Sequence, residues 1–271
     1  MNDHTARIDA LLSDGSREAL TLAALRGRLA LEMVCYERLR NAHDYISPDD
    51  LKRWQPREVV NRLIQDVDPH IASALTVSIS KAPASGKPPE AEEYVELGQQ
   101  AGFDAKRLGK IWNALGNFLH VRTPRSSDDQ VCAFGDAGDL ERKVREALGF
   151  LRDVEKGTLI TSGLGETVSF VCNCGSTNKR RSGLLAHGQI VSCVNPDCIE
   201  RWDVEIGGTD IGFRPRSMEV SCHQCKEATA FPEAQLLGLV RNQMMRFSCR
   251  CGAENHLMWK LMHMKRDEPS G

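Results

Sequence analysis

Cys172-Asn173-Cys174-Gly175-Ser176 and Cys249-Arg250-Cys251-Gly252-Ala253 are two of four short cysteine pairs, and these pairs decide the reading of the chain. The other two are Cys193-Val194-Asn195-Pro196-Asp197-Cys198 and Cys222-His223-Gln224-Cys225-Lys226. Tetrahedral zinc takes four thiolates at ~2.3 Å, and two close pairs on facing turns supply them at little entropic cost. Gly175 and Gly252 follow the second cysteine of their pairs, where a positive φ lets the turn close and aims backbone N–H groups at sulfur.

The sequential assignment gives one site to Cys172, Cys174, Cys193 and Cys198, and another to Cys222, Cys225, Cys249 and Cys251. The intervening stretches of 18 and 23 residues suit a zinc ribbon or treble-clef loop. A crossed pairing, as in RING-type folds, is the alternative. Two of the pairs are Cys-x-Cys, tighter than the usual two- to four-residue separation. His187, His223 and His256 are stand-in ligands should a cysteine be free. Four thiolates close the coordination sphere, so the two Zn2+ ions are read as structural. Cys222-His223-Gln224-Cys225 lacks the βαβ context of a redox motif. Cys35 and Cys132 stand alone and read as ordinary thiols.

Working outward, strand-like runs flank the knuckles at 168–171, 189–192, 202–206, 218–221 and 246–248. Upstream of Gly157 the texture is helical. Asp14 or Ser16 caps a helix running to about Tyr45, and Ser47-Pro48-Asp49-Asp50 has the form of a helix start. Gln55-Pro56 opens another helix that stops near Asp68-Pro69. Residues 74–80 alternate weakly as a short strand, and 81–89 form a Pro/Gly/Ser loop. Helical patterns resume over 92–100, 104–120 and 138–155, with a polar connection over 122–129. The expected class is α+β: a helical domain over 1–156, then a β-rich two-zinc module over 158–271.

The chain has 271 residues, 41% hydrophobic content and a formal net charge of -2, so no global basic field marks a nucleic-acid partner. The segment from Thr158 on has 13 Lys+Arg against 12 Asp+Glu, a net of +1. Two zinc tetrathiolate sites contribute about -2 each and bring that to about -3. Met1 to Ser16 has no apolar run of the secretory type, and no stretch reaches the ~18 apolar residues of a membrane span. The expected location is cytoplasmic, where cysteines stay reduced and short spacings point to metal.

Zinc ribbons serve as rigid platforms for nucleic acid or protein. Lys179-Arg180-Arg181 falls between the knuckles of the first site, and Arg241, Arg246 and Arg250 form a second basic group. Trp202, Phe213, Phe231, Phe247 and Trp259 add stacking or core surface. The bland reading is that the cations neutralise the zinc–thiolate charge and the aromatics form core.

Two helical strings, 30–40 (Ala30-Leu31-Glu32-Met33-Val34-Cys35-Tyr36-Glu37-Arg38-Leu39-Arg40) and 112–120 (Trp112-Asn113-Ala114-Leu115-Gly116-Asn117-Phe118-Leu119-His120), resemble signatures of the HEPN superfamily. That resemblance implies a small helical bundle, self-association as a homodimer and, in active members, RNA cleavage by paired Arg and His. No Arg lies four to six residues before His120, whereas Arg38 and His43 meet the spacing. The chain also resembles bacterial proteins that join a helical domain, here with Trp54-Gln55-Pro56 and Leu115-Gly116 through Leu119-His120, to cysteine knuckles.

Three functions follow as expectations: a non-enzymatic zinc-binding adaptor contacting nucleic acid or protein, a HEPN-like ribonuclease scaffolded by zinc, or a structural subunit of a larger bacterial complex. Phosphate-binding loops, nucleophile elbows and His-Glu-x-x-His strings do not occur in the sequence.

Overall fold

The computed structural model describes residues 2–51, 55–80, 90, 94–124, 126–127, 134–161, 165–208 and 210–260. Trp54, Cys132 and the loop over 81–89 lie outside the described residues, as does the beginning of the helix expected over 92–100. By packing, the chain divides into two units. The first is Met1–Ser169 with Lys179–Leu184, and the second is Phe170–Asn178 with Leu185–Gly271. The architecture is α+β, helices first and small antiparallel sheets after.

In the first unit, α1 (Asn2–Asp14) precedes α2 (Arg17–Asn41), and α2 packs against α1, α3 (Pro56–Asp66), α4 (Ala105–Asn117) and α5 (Ala137–Glu155). The starts are chemical. Ser16 Oγ accepts the Ala19 N–H at 3.1 Å, Asp104 accepts that of Arg107 at 2.9 Å, and Asp136 that of Asp139 at 2.7 Å. Pro56 opens α3, where its missing N–H costs nothing.

The core joins Ile8, Leu20, Leu31, Leu108, Leu115, Leu140 and Leu151, all essentially without exposed surface. Each such side chain contributes about 1.5–3 kcal/mol by leaving water. Arg28 stacks on the Trp112 ring, 3.7 Å from its centre, and Trp112 Nε1 donates to Glu32 at 2.8 Å. Gly116 permits this, since a Cβ there would collide with the Arg28 guanidinium.

One helix adds to the expected set and two expectations are corrected. Asn2–Asp14 is a helix of its own, separated from α2 by Gly15 at φ +69°. Pro48–Leu51 is a single 3-10 turn, not a full helix start. The helix expected over 92–100 is instead strand β2 (Val95–Gln100), antiparallel to β1 (Leu75–Ile79). Gln100 anchors it, its amide N donating to Ile71 O at 3.2 Å and Ser73 O at 3.0 Å.

The remaining strands carry the cysteines. β3 (Thr167–Val171) pairs with β4 (Thr177–Arg181), and β5 (Ile190–Ser192), β6 (Arg201–Gly207) and β7 (Asp210–Pro215) form a three-stranded sheet. β8 (Ser217–Ser221) pairs with β9 (Ala228–Pro232), and β10 (Met245–Ser248) with β11 (Glu254–Leu257). A short helix, α6 (Glu233–Leu237), follows β9. Phe170 stacks on Phe213 with centroids 4.3 Å apart, beside Trp202 and Val204, and these close the core under the first cysteine cluster. Arg201 donates twice to Glu233, at 3.0 and 2.6 Å, an ion pair inside the second unit.

Candidate metal centres

Each cysteine pair sits where a strand breaks into a tight turn. β3 ends at Val171, Gly175 N donates to Cys172 O at 2.8 Å, and Cys172 N donates to Ser176 O at 2.9 Å. β10 ends at Ser248, Gly252 N donates to Cys249 O at 2.9 Å, and Cys249 N donates to Ala253 O at 2.9 Å. The two turns are the same object. Gly175 stands at φ +86° and Gly252 at φ +88°, a conformation costly for residues with a Cβ.

The structure gathers the eight sulfurs into two groups: Cys172, Cys174, Cys193 and Cys198 in one, Cys222, Cys225, Cys249 and Cys251 in the other. This is the sequential grouping. Within each group all sulfurs lie within 4.8 Å of one another. Across the knuckles, Cys172–Cys198 is 3.8 Å and Cys174–Cys193 is 3.7 Å. In the second group Cys222–Cys251 is 3.8 Å and Cys225–Cys249 is 3.6 Å. Four sulfurs ~2.3 Å from one metal at tetrahedral angles stand ~3.8 Å apart, whereas a disulfide would bring them to ~2.05 Å. The donor set therefore fits a tetrahedral metal ion in each group.

Two residues that the sequence reading passed over as ligand supports brace these groups. Asn178, fully buried, accepts the Val194 N–H at 2.8 Å through Oδ1, and its amide N lies 3.1 Å from Ser176 O and 3.8 Å from Cys193 Sγ. Asn255 does the same: Oδ1 accepts the His223 N–H at 2.9 Å, and the amide N reaches Ala253 O at 3.1 Å and Cys222 Sγ at 3.6 Å. Each asparagine sits four residues after the second cysteine of a Cys-x-Cys-Gly turn. It ties that turn to the first cysteine of the opposite knuckle. The repeated string Cys-x-Cys-Gly-x-x-Asn was the signal available in the sequence. The order of knuckles is inverted between the groups, the Cys-x-Cys turn coming first in one and last in the other.

Hydrogen bonds favour the thiolate at one cysteine of each group. The Ser176 hydroxyl pulls the Cys174 thiol down to about 6, and backbone N–H groups, that of Cys225 foremost, bring Cys222 down to about 6. Burial pushes Cys172 up. Glu200 accepts both bonds from the Asn173 amide, at 2.9 and 2.8 Å, beside Cys172. His187 accepts the Ile206 N–H at 3.0 Å, and His223 and His256 lie outside the sulfur groups. Cys35 is fully buried among the helices, and burial pushes its thiol up to about 12.

The cations chosen from sequence fall differently. Lys179, Arg180 and Arg181 are not on a loop but on β4, and Arg180 and Arg181 are buried, 4% and 7% exposed. Lys179 Nζ pairs with Asp44 at 2.9 Å. Arg181 donates to Val67 O at 3.3 Å and to Gly165 O, with its guanidinium 4.8 Å from the centre of the Tyr45 ring. These three side chains are internal ties of the first unit and not an open cationic surface. Arg241, Arg246 and Arg250 are exposed, and none is in an ion pair with a carboxylate among the described residues.

Arg38 and His43 part company. Arg38 is buried, and His43 is exposed beyond the end of α2 with Nε2 2.8 Å from Asp44. His120 is exposed after α4. No helix among the described residues is long and apolar enough to cross a membrane. Compared with protein family models, curated proteins and solved structures, the chain matches none.

Proposed function

We propose that this chain is a non-enzymatic adaptor in which two structural zinc ions hold a pair of ribbons that contact nucleic acid, and the helical unit serves association. The observation that carries the structural role of the metal is the set of sulfur–sulfur edges of 3.6–3.8 Å, which leaves four thiolates on each ion and no ligand position for substrate. The second ribbon buries little apolar surface of its own, around Cys222, Cys249 and Ala253, so metal supplies there what a core would.

Contact with nucleic acid is assigned to Arg241, Arg246 and Arg250, with Trp259, half exposed, as a stacking surface. Arg246 faces His256 across the β10–β11 pair, on the outward side of that hairpin. The test is fluorescence anisotropy of zinc-loaded protein with single-stranded RNA and DNA over a salt series. Neutralising about three phosphates gives a log–log salt slope of about -2, and the triple change of Arg241, Arg246 and Arg250 to Glu abolishes binding. Binding that persists in that variant, or none in the native chain, removes nucleic acid and leaves a protein partner for the ribbons.

A further inference from the structure

A cavity of about 420 Å³ opens in the first unit between the end of α2, the end of α5 and the chain just beyond it. Arg38, Arg40, Asn41, Ala101, Val154, Glu155 and residues 157–160 line it. Arg38 is the unusual member. It is 3% exposed, its Nη2 donates to Ala101 O at 3.0 Å, and its Nε has no hydrogen-bond partner. The guanidinium lies over the Phe103 ring, 5.3 Å from its centre, and no carboxylate among the described residues forms an ion pair with it.

A buried charge without a counter-charge is expensive, and a guanidinium stays protonated under any ordinary condition. The cavity is where the missing partner fits. The other ionic groups on its wall are already engaged. Arg40 pairs with Glu37 at 2.6 Å, and Glu155 accepts the hydroxyl of the buried Thr5 at 3.1–3.2 Å. We infer that this cavity binds a small aliphatic monocarboxylic acid, its carboxylate on Arg38 and its hydrocarbon against Val154, Leu159 and Ile160.

Charge selects the carboxylate. One buried cation is matched by a single negative charge, whereas a phosphate dianion would place a second like charge near Glu155. Shape selects the body. A guanidinium presents N–H donors in a plane that suits a carboxylate, and Val154, Leu159, Ile160 and Ala101 give the lining its apolar part. The site uses neither the cysteine groups nor His43.

The test uses the full zinc-loaded chain and four probes: acetate, butyrate, hexanoate and inorganic phosphate. The Arg38 Nε–H resonance, assigned by its loss in Arg38→Lys, is followed by 1H–15N NMR, and affinity is taken from the titration. Butyrate and hexanoate shift that resonance and bind more tightly than acetate, and phosphate binds more weakly than any of them. Arg38→Gln lowers hexanoate affinity by about 10–100-fold, as loss of a charge-assisted hydrogen bond does, and Arg214→Gln in the second unit leaves it unchanged. Should Arg38→Gln fail to fold, Leu159→Glu, which puts a like charge on the apolar wall, supplies the same loss. A carboxylate that leaves the Arg38 resonance unmoved, or phosphate binding most tightly, overturns the assignment.

Discussion

The side-chain oxygen of Asn178 accepts the backbone N–H of Val194 at 2.8 Å, joining two cysteine knuckles that are far apart in sequence. Asn255 repeats the bond with His223. Such supporting hydrogen bonds fix where a thiolate points, and their loss typically lowers metal affinity about 10–100-fold. Asn178→Ala and Asn255→Ala each weaken one site by that factor in competition with a chromophoric chelator, and the other site keeps its affinity. Equal weakening of both sites by either change would sink this account.

Zinc removal separates the two parts by their source of stability. A chelator extracts two zinc ions per chain and abolishes the ribbon resonances. Far-ultraviolet helical ellipticity persists, because Leu20, Leu31, Leu115 and Leu151 pack without metal. Total loss of helix on chelation would show that the helical core depends on zinc.

Gly175 and Gly252 are held at φ +86° and +88°. Alanine in the left-handed region costs about 1–2 kcal/mol, although nothing obstructs a Cβ at either place. Each Gly→Ala change therefore lowers zinc affinity by about tenfold at its own site. Valine, branched at Cβ, costs more than alanine, and an unchanged affinity in Gly252→Val would contradict the strain argument.

Lys179 holds the Asp44 carboxyl below its ordinary value through their hydrogen bond. For a depressed carboxyl the stability is present above the ordinary carboxylate range and is lost as pH falls through the folded value. Lys179→Glu destabilises the chain at neutral pH, and the swap of Lys179→Glu with Asp44→Lys restores it. Thermal unfolding at pH 7 and at pH 3 is the measurement, and the single variant's deficit shrinks at the lower pH. Arg181→Ala is more severe, about 1–3 kcal/mol, because buried carbonyls lose their donor.

The parts legible in sequence are those where pattern and chemistry agree. The cysteine spacing marks both sulfur groups, and Ser16, Asp104 and Pro56 mark three helix starts. β4 escaped because Thr177-Asn178-Lys179-Arg180-Arg181 holds no apolar residue, yet Asn178, Arg180 and Arg181 are its buried positions. Their burial depends on partners such as Val194, Val67 and Tyr45 that lie elsewhere in the chain, and no local period records that. β2 was read as helix because 95–100 is too short to separate the two periods, and its exposed Val95 and Leu97 give no face. Gly98 favours neither element interior, and it stands opposite Val77 at a β-bulge with φ +156°.

The inverted order of knuckles has a consequence for the chain between them. A ribbon whose halves function in either order places no geometric demand on the connecting segment beyond reaching from one turn to the other. Each metal ion then acts as the clasp of a loop whose content is free. In the second ribbon that loop carries α6 and the exposed Val240 and Met244. In the first it carries Lys179–Leu184, residues that belong by packing to the helical unit. Opening the first clasp would thus lengthen the loop that carries Lys179–Leu184 while taking no residue out of the helical core, so a lost metal ion is felt as slack in one loop.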